Sequence, residues 1–276
     1  MNKEKIIKIL TDKKVYFIGL GLLATVFLIQ LYFLYSQLHI LPAIGSCNVK
    51  GIKLQGNLYT YRNYASDSTG QSSKDISSSE EITAAIEKAN KDNSIKAILL
   101  EVDSNGGQPV AGWEIMEALK HSSKPTVALI RQEGDSAAYL ASTGAKHIIA
   151  AAESDVGDIG VTMSYVGNYD KNTNDGLTFY QLNEGQFKDA GNPDAPLTPE
   201  AQQMFMRNLK ISYDDFIKYV SENRHLDTAK VTALANGAAM PGQMAKDNGL
   251  IDQVGGIYDA EAYLQKQIKT NVNICW

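Results

Sequence analysis

The sequence is poor in the residues that build metal and redox sites. Its 276 residues include two cysteines and four histidines. Cys47 and Cys275 form no C-x-x-C motif, and the histidines have no H-E-x-x-H or other ligand spacing. We therefore predict no metal and no cofactor. Whether the two cysteines pair, or Cys47 is lipidated behind its Ile-Gly-Ser box, stays open because spacing does not determine either.

The chain also lacks the basic excess of a nucleic-acid-binding protein. Its net charge is -5 and its pI about 5.4, so we expect no nucleic-acid partner. Hydrophobic residues make up 44% and charged residues 21%, which is an ordinary globular balance. The length suits one sizeable globular domain together with a further segment.

One long hydrophobic run is present near the start. Residues 15–35 contain only Thr25 and Gln30 as clearly polar members. About 20 apolar residues in a helix span the roughly 30 Å core of a bilayer, so we predict one N-terminal transmembrane helix over residues 15–36. A cleaved signal peptide is the alternative, but the run is long and no A-x-A site follows it. Lysines dominate the preceding cytoplasmic N-terminus, residues 1–14, and place the rest of the chain outside the cytoplasm: Lys3, Lys5, Lys8, Lys13 and Lys14.

The remainder is predicted to be an α/β domain. Residues 37–80 are interpreted as a juxtamembrane segment and a Ser-rich linker, and residues 81–276 as the globular domain. Short apolar strands alternate with amphipathic helices, which favours a parallel sheet with crossover helices. The predicted strands are 95–102, 126–130 and 147–152, and the predicted helices are 80–91, 110–121, 136–144 and 198–223. Sites in such sheets form at the carboxyl ends of the strands.

A glycine pair follows the first of these strands. Gly106 and Gly107 end the segment D-S-N-G-G and would leave backbone N–H groups unobstructed. Such donors can hold a developing oxyanion. On its own, the pattern is more typical of an ordinary turn.

A serine opens the small-residue helix after the second strand. Ser136 stands where the N-terminus of the helix supplies partial positive charge, which suits a nucleophile. From the pattern alone, a helix N-cap is the simpler interpretation of this serine.

A lysine lies between glycines farther along the chain. Lys188 would usually be a solvated loop residue. As a general base it must be neutral, so desolvation or nearby cations must lower its pKa. A neutral lysine activates serine without histidine.

Taken in order, these motifs resemble those of the signal peptide peptidase A family of serine proteases. Residues 135–142 read DSAAYLAS, where the family has A-S-G-G-Y-Y-I-S. Residues 185–193, GQFKDAGNP, match the family's segment G-x-x-K-D-x-G-x-P at every fixed position. Residues 104–107 resemble its S-P-G-G turn, and residues 245–256 resemble its late A-x-x-x-G-L-V-D-x-x-G-G segment.

The resemblance implies a Clp-protease/crotonase-like fold and a Ser/Lys dyad. In it, Ser136 is the nucleophile, Lys188 the general base, and the N–H groups of Ala137 and of Gly106 or Gly107 hold the oxyanion. The implied activity is endopeptidase cleavage of remnant signal peptides or other membrane-associated or unfolded peptides. Homo-oligomeric rings or domes and a single-pass location in a bacterial inner membrane, with the catalytic domain extracytoplasmic, are implied as well.

Three departures from the family pattern bear on activity. Ala137-Ala138 replaces Gly-Gly, Asn105 replaces proline, and Asp158 stands where the family has a serine that can contact the lysine. As a candidate lysine partner, Asp158 would raise the pKa of Lys188 and weaken it as a base. A weak or inactive homologue that binds peptides at the membrane is therefore the alternative function. A crotonase-type enzyme acting on acyl-CoA is a further one, disfavoured by the outward-facing domain.

Overall fold

The computed structural model describes residues 21, 23–34, 47–62 and 76–276. The chain divides into two units, Met1–Ser46 and Cys47–Trp276. In the first unit, residues 23–34 are helical with exposed side chains. Within the ranges just given, no helix is both long and apolar enough to cross a membrane. The predicted cytoplasmic residues 1–14 and the two ends of the predicted anchor lie outside the described residues.

The second unit is built on a mostly parallel sheet. Its strands are β1 Val49–Tyr59, β2 Ile76–Ser78, β3 Ala97–Gly107, β4 Thr126–Asp135, β5 His147–Ala150, β6 Asp155–Gly157, β7 Ala239–Pro241, β8 Gln253–Val254 and β9 Ile274–Cys275. The central strand order is β2-β1-β3-β4-β5-β8. Strand β9 pairs in parallel with the start of β1, β6 pairs in parallel with the end of β4, and β7 runs antiparallel to β6.

Helices connect these strands and cover the sheet. The helices of the second unit are α1 Ser79–Lys91, α2 Pro109–Lys120, α3 Ser136–Ser142, α4 Tyr169–Asn174, α5 Pro199–Arg224, α6 Thr228–Leu234, α7 Gly242–Asn248 and α8 Ile257–Ile268. The longest, α5, begins after the N-cap Thr198, whose side chain accepts a hydrogen bond from the Ala201 N–H, and it has a proline in its first turn.

The middle strands are buried on both faces. In β3, Leu100 belongs to the large core formed with α1, α2 and α3, whereas Leu99 belongs to a smaller core on the other face. There, Leu264 of α8 packs against the sheet. Burial on both sides explains why the sequence of β3 is a continuous apolar run rather than an alternating one.

The α/β architecture predicted from the sequence is confirmed, but β3 and β4 extend beyond their apolar runs. The D-S-N-G-G segment, expected to be a turn, continues β3 because Gly106 and Gly107 pair with β1. Residues 133–135 likewise continue β4 because they pair with β6. These extensions depend on backbone pairing with distant strands, so hydrophobic periodicity gives no signal for them.

The compact unit begins at Cys47, earlier than the expected start of the domain at residue 81. Strand β1 lies in the segment interpreted as juxtamembrane, yet it forms the long parallel pairing with β3. Of the expected linker, residues 63–75 lie outside the described residues, and residues 76–78 form β2.

A disulfide ties the two ends of this unit together. Cys47 and Cys275 are bonded, which answers the question that their spacing left open. Beside the bond, β9 pairs with Val49 and Lys50 of β1. The Trp276 ring lies so close over Gly51 that a Cβ there would approach it to 2.5 Å. The chain end is therefore held by pairing, packing and a covalent bond at one place.

We predict that replacing both cysteines by serine lowers the free energy of unfolding by about 2–5 kcal/mol, because the bond closes a loop between residues 228 positions apart. Urea unfolding of the variant and of wild type would measure the difference. Reductant should lower the stability of wild type by a similar amount and leave the variant unchanged. Equal unfolding midpoints for the two oxidised proteins would contradict the prediction.

Candidate active site

The candidate site lies where three parallel strands end. Strand β4 pairs with β3 so that Gly134 is opposite Ser104, and with β6 so that Asp135 is opposite Gly157. The next residues along the chain, Ser136 and Asp158, therefore leave the sheet side by side. This is the carboxyl edge at which parallel α/β sheets bind ligands.

Ser136 occupies a strained backbone position at the start of α3. Its φ is 50°, in the left-handed region that residues with a Cβ seldom adopt. The N-cap of the helix is Asp135, whose side chain makes no capping bond, so the simpler interpretation of Ser136 as an N-cap is wrong. Strain of this kind concentrates at functional sites, and a strained turn between strand and helix is how many hydrolases present a nucleophilic serine.

Two glycines allow other backbone segments to press against this turn. A Cβ at Gly106 would lie 2.8 Å from both the Ala137 nitrogen and the Asp135 oxygen. A Cβ at Gly112 of α2 would lie 2.4 Å from the Ala137 oxygen. Any side chain at either position would push α3 away, so the position of Ser136 depends on both glycines.

The predicted oxyanion donors differ in their surroundings. The Gly106 N–H donates to Ser104 Oγ at 3.0 Å, so this group already has a partner. Gly107 and Ala137 both line the cavity at Ser136. Ala137 is the second residue of α3, where helical N–H groups have no partner within the helix.

Helix α3 is fixed from behind by the late segment that the sequence singled out. The buried Tyr139 hydroxyl donates to the Leu250 carbonyl oxygen at 2.9 Å. Two residues later, Asp252 accepts two bonds from Arg224, at 2.6 and 3.1 Å, and one from the Ile148 N–H at 2.7 Å. The late segment therefore positions the serine helix rather than contacting the cavity.

A cavity of about 700 Å³ opens beside Ser136. Its walls come from the starts of α2 and α3, from the segment after β6, from the middle of α5 and from the loop after α6. Its lining includes five large apolar side chains: Val110, Trp113, Leu140, Phe216 and Tyr219. A cavity of this size accommodates a side chain with adjoining backbone of a peptide.

Carboxylates set the charge of the site. Asp158 lines the cavity with a φ of 45°, and burial raises its pKa. Asp135 is only 8% exposed, and its Oδ1 atom has no hydrogen-bond partner. Burial, followed by the charges of Asp158, Asp155 and Glu133, raises the pKa of Asp135 to about 6.

Lys188 lies in the segment between β6 and α5. It is exposed, and it is not one of the residues that line the cavity beside Ser136. Its backbone N–H closes a turn onto the Gly185 carbonyl oxygen at 3.1 Å. The segment that carries Lys188, residues 161–197, is named here the arm. The residues that line this cavity therefore include the predicted nucleophile but not the predicted base.

The arm is mostly exposed. It contains one short helix, α4, and closes on itself through the bond from the Asn168 N–H to the Pro193 carbonyl oxygen at 2.6 Å. Many of its large apolar side chains face solvent: Met163, Tyr165, Val166, Tyr169, Leu177, Phe179, Tyr180, Leu182, Phe187 and Leu197. An apolar surface of this extent is unusual on an isolated chain and typical of an interaction site.

Two parts of the site were not predicted from the sequence. Asp135 replaces an alanine of the family pattern, and that difference was the available signal for its role. Tyr213 and Phe216 of α5 line the cavity, although Phe216 also belongs to the large core and Tyr213 packs against that core. No sequence signal separates these uses, because a cavity wall and a core face have the same helical periodicity.

Comparison with known proteins locates this region in a peptidase family. The family model described as peptidase family S49 matches residues 118–271, which include Ser136 and Lys188. A protein of Methanocaldococcus jannaschii named "Putative protease" is 34% identical over 64% of this chain and 57% of its own length. A protein of Enterococcus faecium named "Putative signal peptide peptidase SppA" is 31% identical over 82% and 65%. "Protease 4" of Haemophilus influenzae is 30% identical over 69% and 31%. The chain thus spans less than two thirds of the length of each of these relatives.

We predict that Asp135→Asn stabilises the fold in a pH-dependent manner. Below about pH 4 Asp135 carries its proton in both the folded and the unfolded state, so the gain is small. As pH rises, the carboxyl ionises first in the unfolded state. The stabilisation by Asp135→Asn therefore grows until the pH passes about 6, the pKa of Asp135 in the folded state. Above that pH, we expect the free energy of unfolding of the variant to exceed that of wild type by a constant amount of about 1–3 kcal/mol. Urea unfolding would measure the difference.

The exposed Asp247→Asn serves as the control and should show no such rise. If Asp135→Asn raises the free energy of unfolding equally at pH 4 and pH 7.5, the assignment of Asp135 as an uncompensated buried carboxylate is contradicted.

Proposed function

Because the chain belongs to peptidase family S49, as its motifs indicated, we propose that it is a serine endopeptidase of the signal peptide peptidase type with Ser136 as its nucleophile. The observation that carries the proposal is the strained φ of Ser136 at the edge of a cavity of peptide size. The crotonase-like arrangement expected for the family is consistent with the mostly parallel sheet.

In the proposed reaction, Ser136 Oγ attacks the scissile carbonyl carbon while the general base takes the hydroxyl proton. Two cavity-lining residues, Gly107 and Ala137, supply N–H groups to the tetrahedral oxyanion. We assign Gly106 a different role from the expected oxyanion donor, because its N–H already donates to Ser104. Without a Cβ, it lets the end of β3 approach the turn at Ser136 closely. The base then protonates the leaving amine, and water hydrolyses the acyl-enzyme.

We assign the general base to Lys188 of a neighbouring copy of the chain. Two observations support this assignment. The lysine is exposed and is not one of the residues that line the cavity of its own chain, and the arm that carries it offers an apolar surface suited to burial against another protein. A closed homo-oligomer, such as the ring or dome expected for the family, would repeat this contact at every site.

Inactivation of either partner of the dyad should abolish cleavage. Ser136→Ala and Lys188→Ala should each reduce cleavage of an unfolded protein such as casein by at least about 10³-fold. The exposed arm lysine of α4 provides a matched control, and Lys171→Ala should keep activity. If the dyad forms between copies, an active site needs Ser136 from one variant and Lys188 from the other. Coexpression of the two inactive variants at equal levels should then restore about a quarter of the sites.

An inactive mixture of correctly assembled variants would contradict the shared dyad while leaving the nucleophile assignment intact. An inactive, assembled wild type would favour the alternative of a peptide-binding scaffold without catalytic activity.

We assign the protein to a bacterial inner membrane, with its peptidase domain on the outer side. The lysine-rich start and the apolar residues 15–35 support a single anchor, and residues 23–34 are helical with exposed apolar side chains. The Cys47–Cys275 disulfide supports an oxidising compartment for the domain, since such bonds are rare in the cytosol. Substrates of this site would be remnant signal peptides or other membrane-associated or unfolded peptides.

Membrane attachment can be tested through the described part of the apolar run. The full chain should stay in the membrane fraction after an alkaline carbonate wash. Replacing Phe27 and Leu31 by aspartate should release it, because each charge costs about 2.5–3.5 kcal/mol at the centre of a bilayer. Leu28→Ile is the matched control and should remain bound. Release of wild type by the wash, or free Cys47 and Cys275 thiols in intact cells, would contradict the assigned location.

A further inference from the structure

Asp158 is a carboxylate without a partner inside the candidate active site. It lines the cavity that contains Ser136 and is half-buried. In the part of the chain that the structure describes, no hydrogen bond or ion pair engages its side chain. A carboxylate removed from water without such compensation lowers the stability of the empty site and gives it affinity for a cation.

The surroundings of Asp158 add to this negative charge. Asp135, directly before the nucleophile, is more than nine-tenths buried with an unpartnered Oδ1, and it interacts with Asp158. Asp215 lies in the cavity wall on α5 but is exposed, so water screens its charge more strongly. No lysine or arginine among the described residues lines the cavity. The site thus contains several carboxylates and no cation.

The remaining walls suit a long aliphatic side chain with a charged end. Val110, Leu140 and Phe216 offer apolar surface along which the stem of a lysine or arginine can pack. The Trp113 ring can in addition attract the cationic end. Trp113 also borders a second cavity of about 770 Å³ whose lining includes Glu80, Glu87, Glu114 and Glu117. The cavity on the other side of the lining formed by Trp113 therefore carries further carboxylates.

We propose that the cavity beside Ser136 is a subsite for a lysine or arginine side chain of the peptide substrate, and that Asp158 is the residue that selects this cation. The inference rests on the proposed peptidase activity and specifies its substrate class as peptides with basic residues near the cleaved bond.

The same contact resolves the conflict between Asp158 and a lysine base. In an assembled site without substrate, Asp158 would form an ion pair with Lys188 and hold it away from Ser136 Oγ. A substrate cation bound to Asp158 takes the place of Lys188 in that pair and leaves the lysine to contact Ser136. A basic side chain in the subsite should therefore increase kcat as well as lower KM.

The test uses the full chain and pairs of quenched fluorogenic peptides. One lysine is moved through successive positions of a neutral peptide, and each lysine peptide is matched with one carrying norleucine at that position. For at least one position, wild type should show kcat/KM roughly tenfold higher for lysine. Asp158→Asn should bring the ratio close to one. Asparagine tolerates the left-handed backbone at this position, so the variant should fold.

Asp155→Asn is the matched control, because Asp155 is exposed on β6 and does not line the cavity, and it should keep the preference. If Asp158→Asn is too slow to measure, peptide binding to Ser136→Ala, with and without Asp158→Asn, should show the same loss of preference for lysine.

Three results would overturn the inference while leaving the peptidase activity in place. They are equal cleavage of both peptides by wild type, an unchanged ratio in Asp158→Asn, and a pH profile that Asp158→Asn shifts equally for both peptides. The last result would make Asp158 a partner of Lys188 alone. Cleavage of no peptide by assembled wild type would overturn the proposed activity, and this inference with it.

Discussion

Backbone-to-backbone contact around the turn that carries Ser136 is the constraint on which the rest of the site depends. Gly106 and Gly112 approach this turn so closely that neither can carry a Cβ. Their approach requires β3, β4 and β6 to end in a fixed register. It also requires α3 to be fixed from behind, through the bond from Tyr139 to Leu250. The left-handed φ of Ser136 persists because these contacts together leave the turn no relaxed alternative.

The electrostatics of the site follow from the same register. Because Asp135 is opposite Gly157, the carboxylates of Asp135 and Asp158 come together at the nucleophile. Within one chain their charge has no counterpart among the residues that line the cavity. Folding alone thus leaves the site negative, and its charge is balanced by what binds there: a base from a second copy, a basic substrate, or both.

Two further features connect the site to the chain's surroundings. Many large apolar side chains of the arm are exposed, and Lys188 is exposed without being one of the residues that line the cavity beside Ser136. The disulfide, the pairing of β9 and the Trp276 ring hold residues 274–276 against the start of β1.

The sequence by itself determined the alternation of strands and helices, the candidate nucleophile and the family. Local patterns are sufficient for these features, because apolar periodicity reflects burial and the segment around Lys188 matches its family pattern position by position. The tertiary structure decided the rest. The extension of β3 through Gly107, the place of β1 in the sheet and the pairing of Cys47 with Cys275 depend on contacts between distant residues. Three other features are the occupied N–H of Gly106, the unpartnered Oδ1 of Asp135 and the absence of Lys188 from the cavity lining. They depend on side-chain and backbone directions in three dimensions, which a linear motif does not contain.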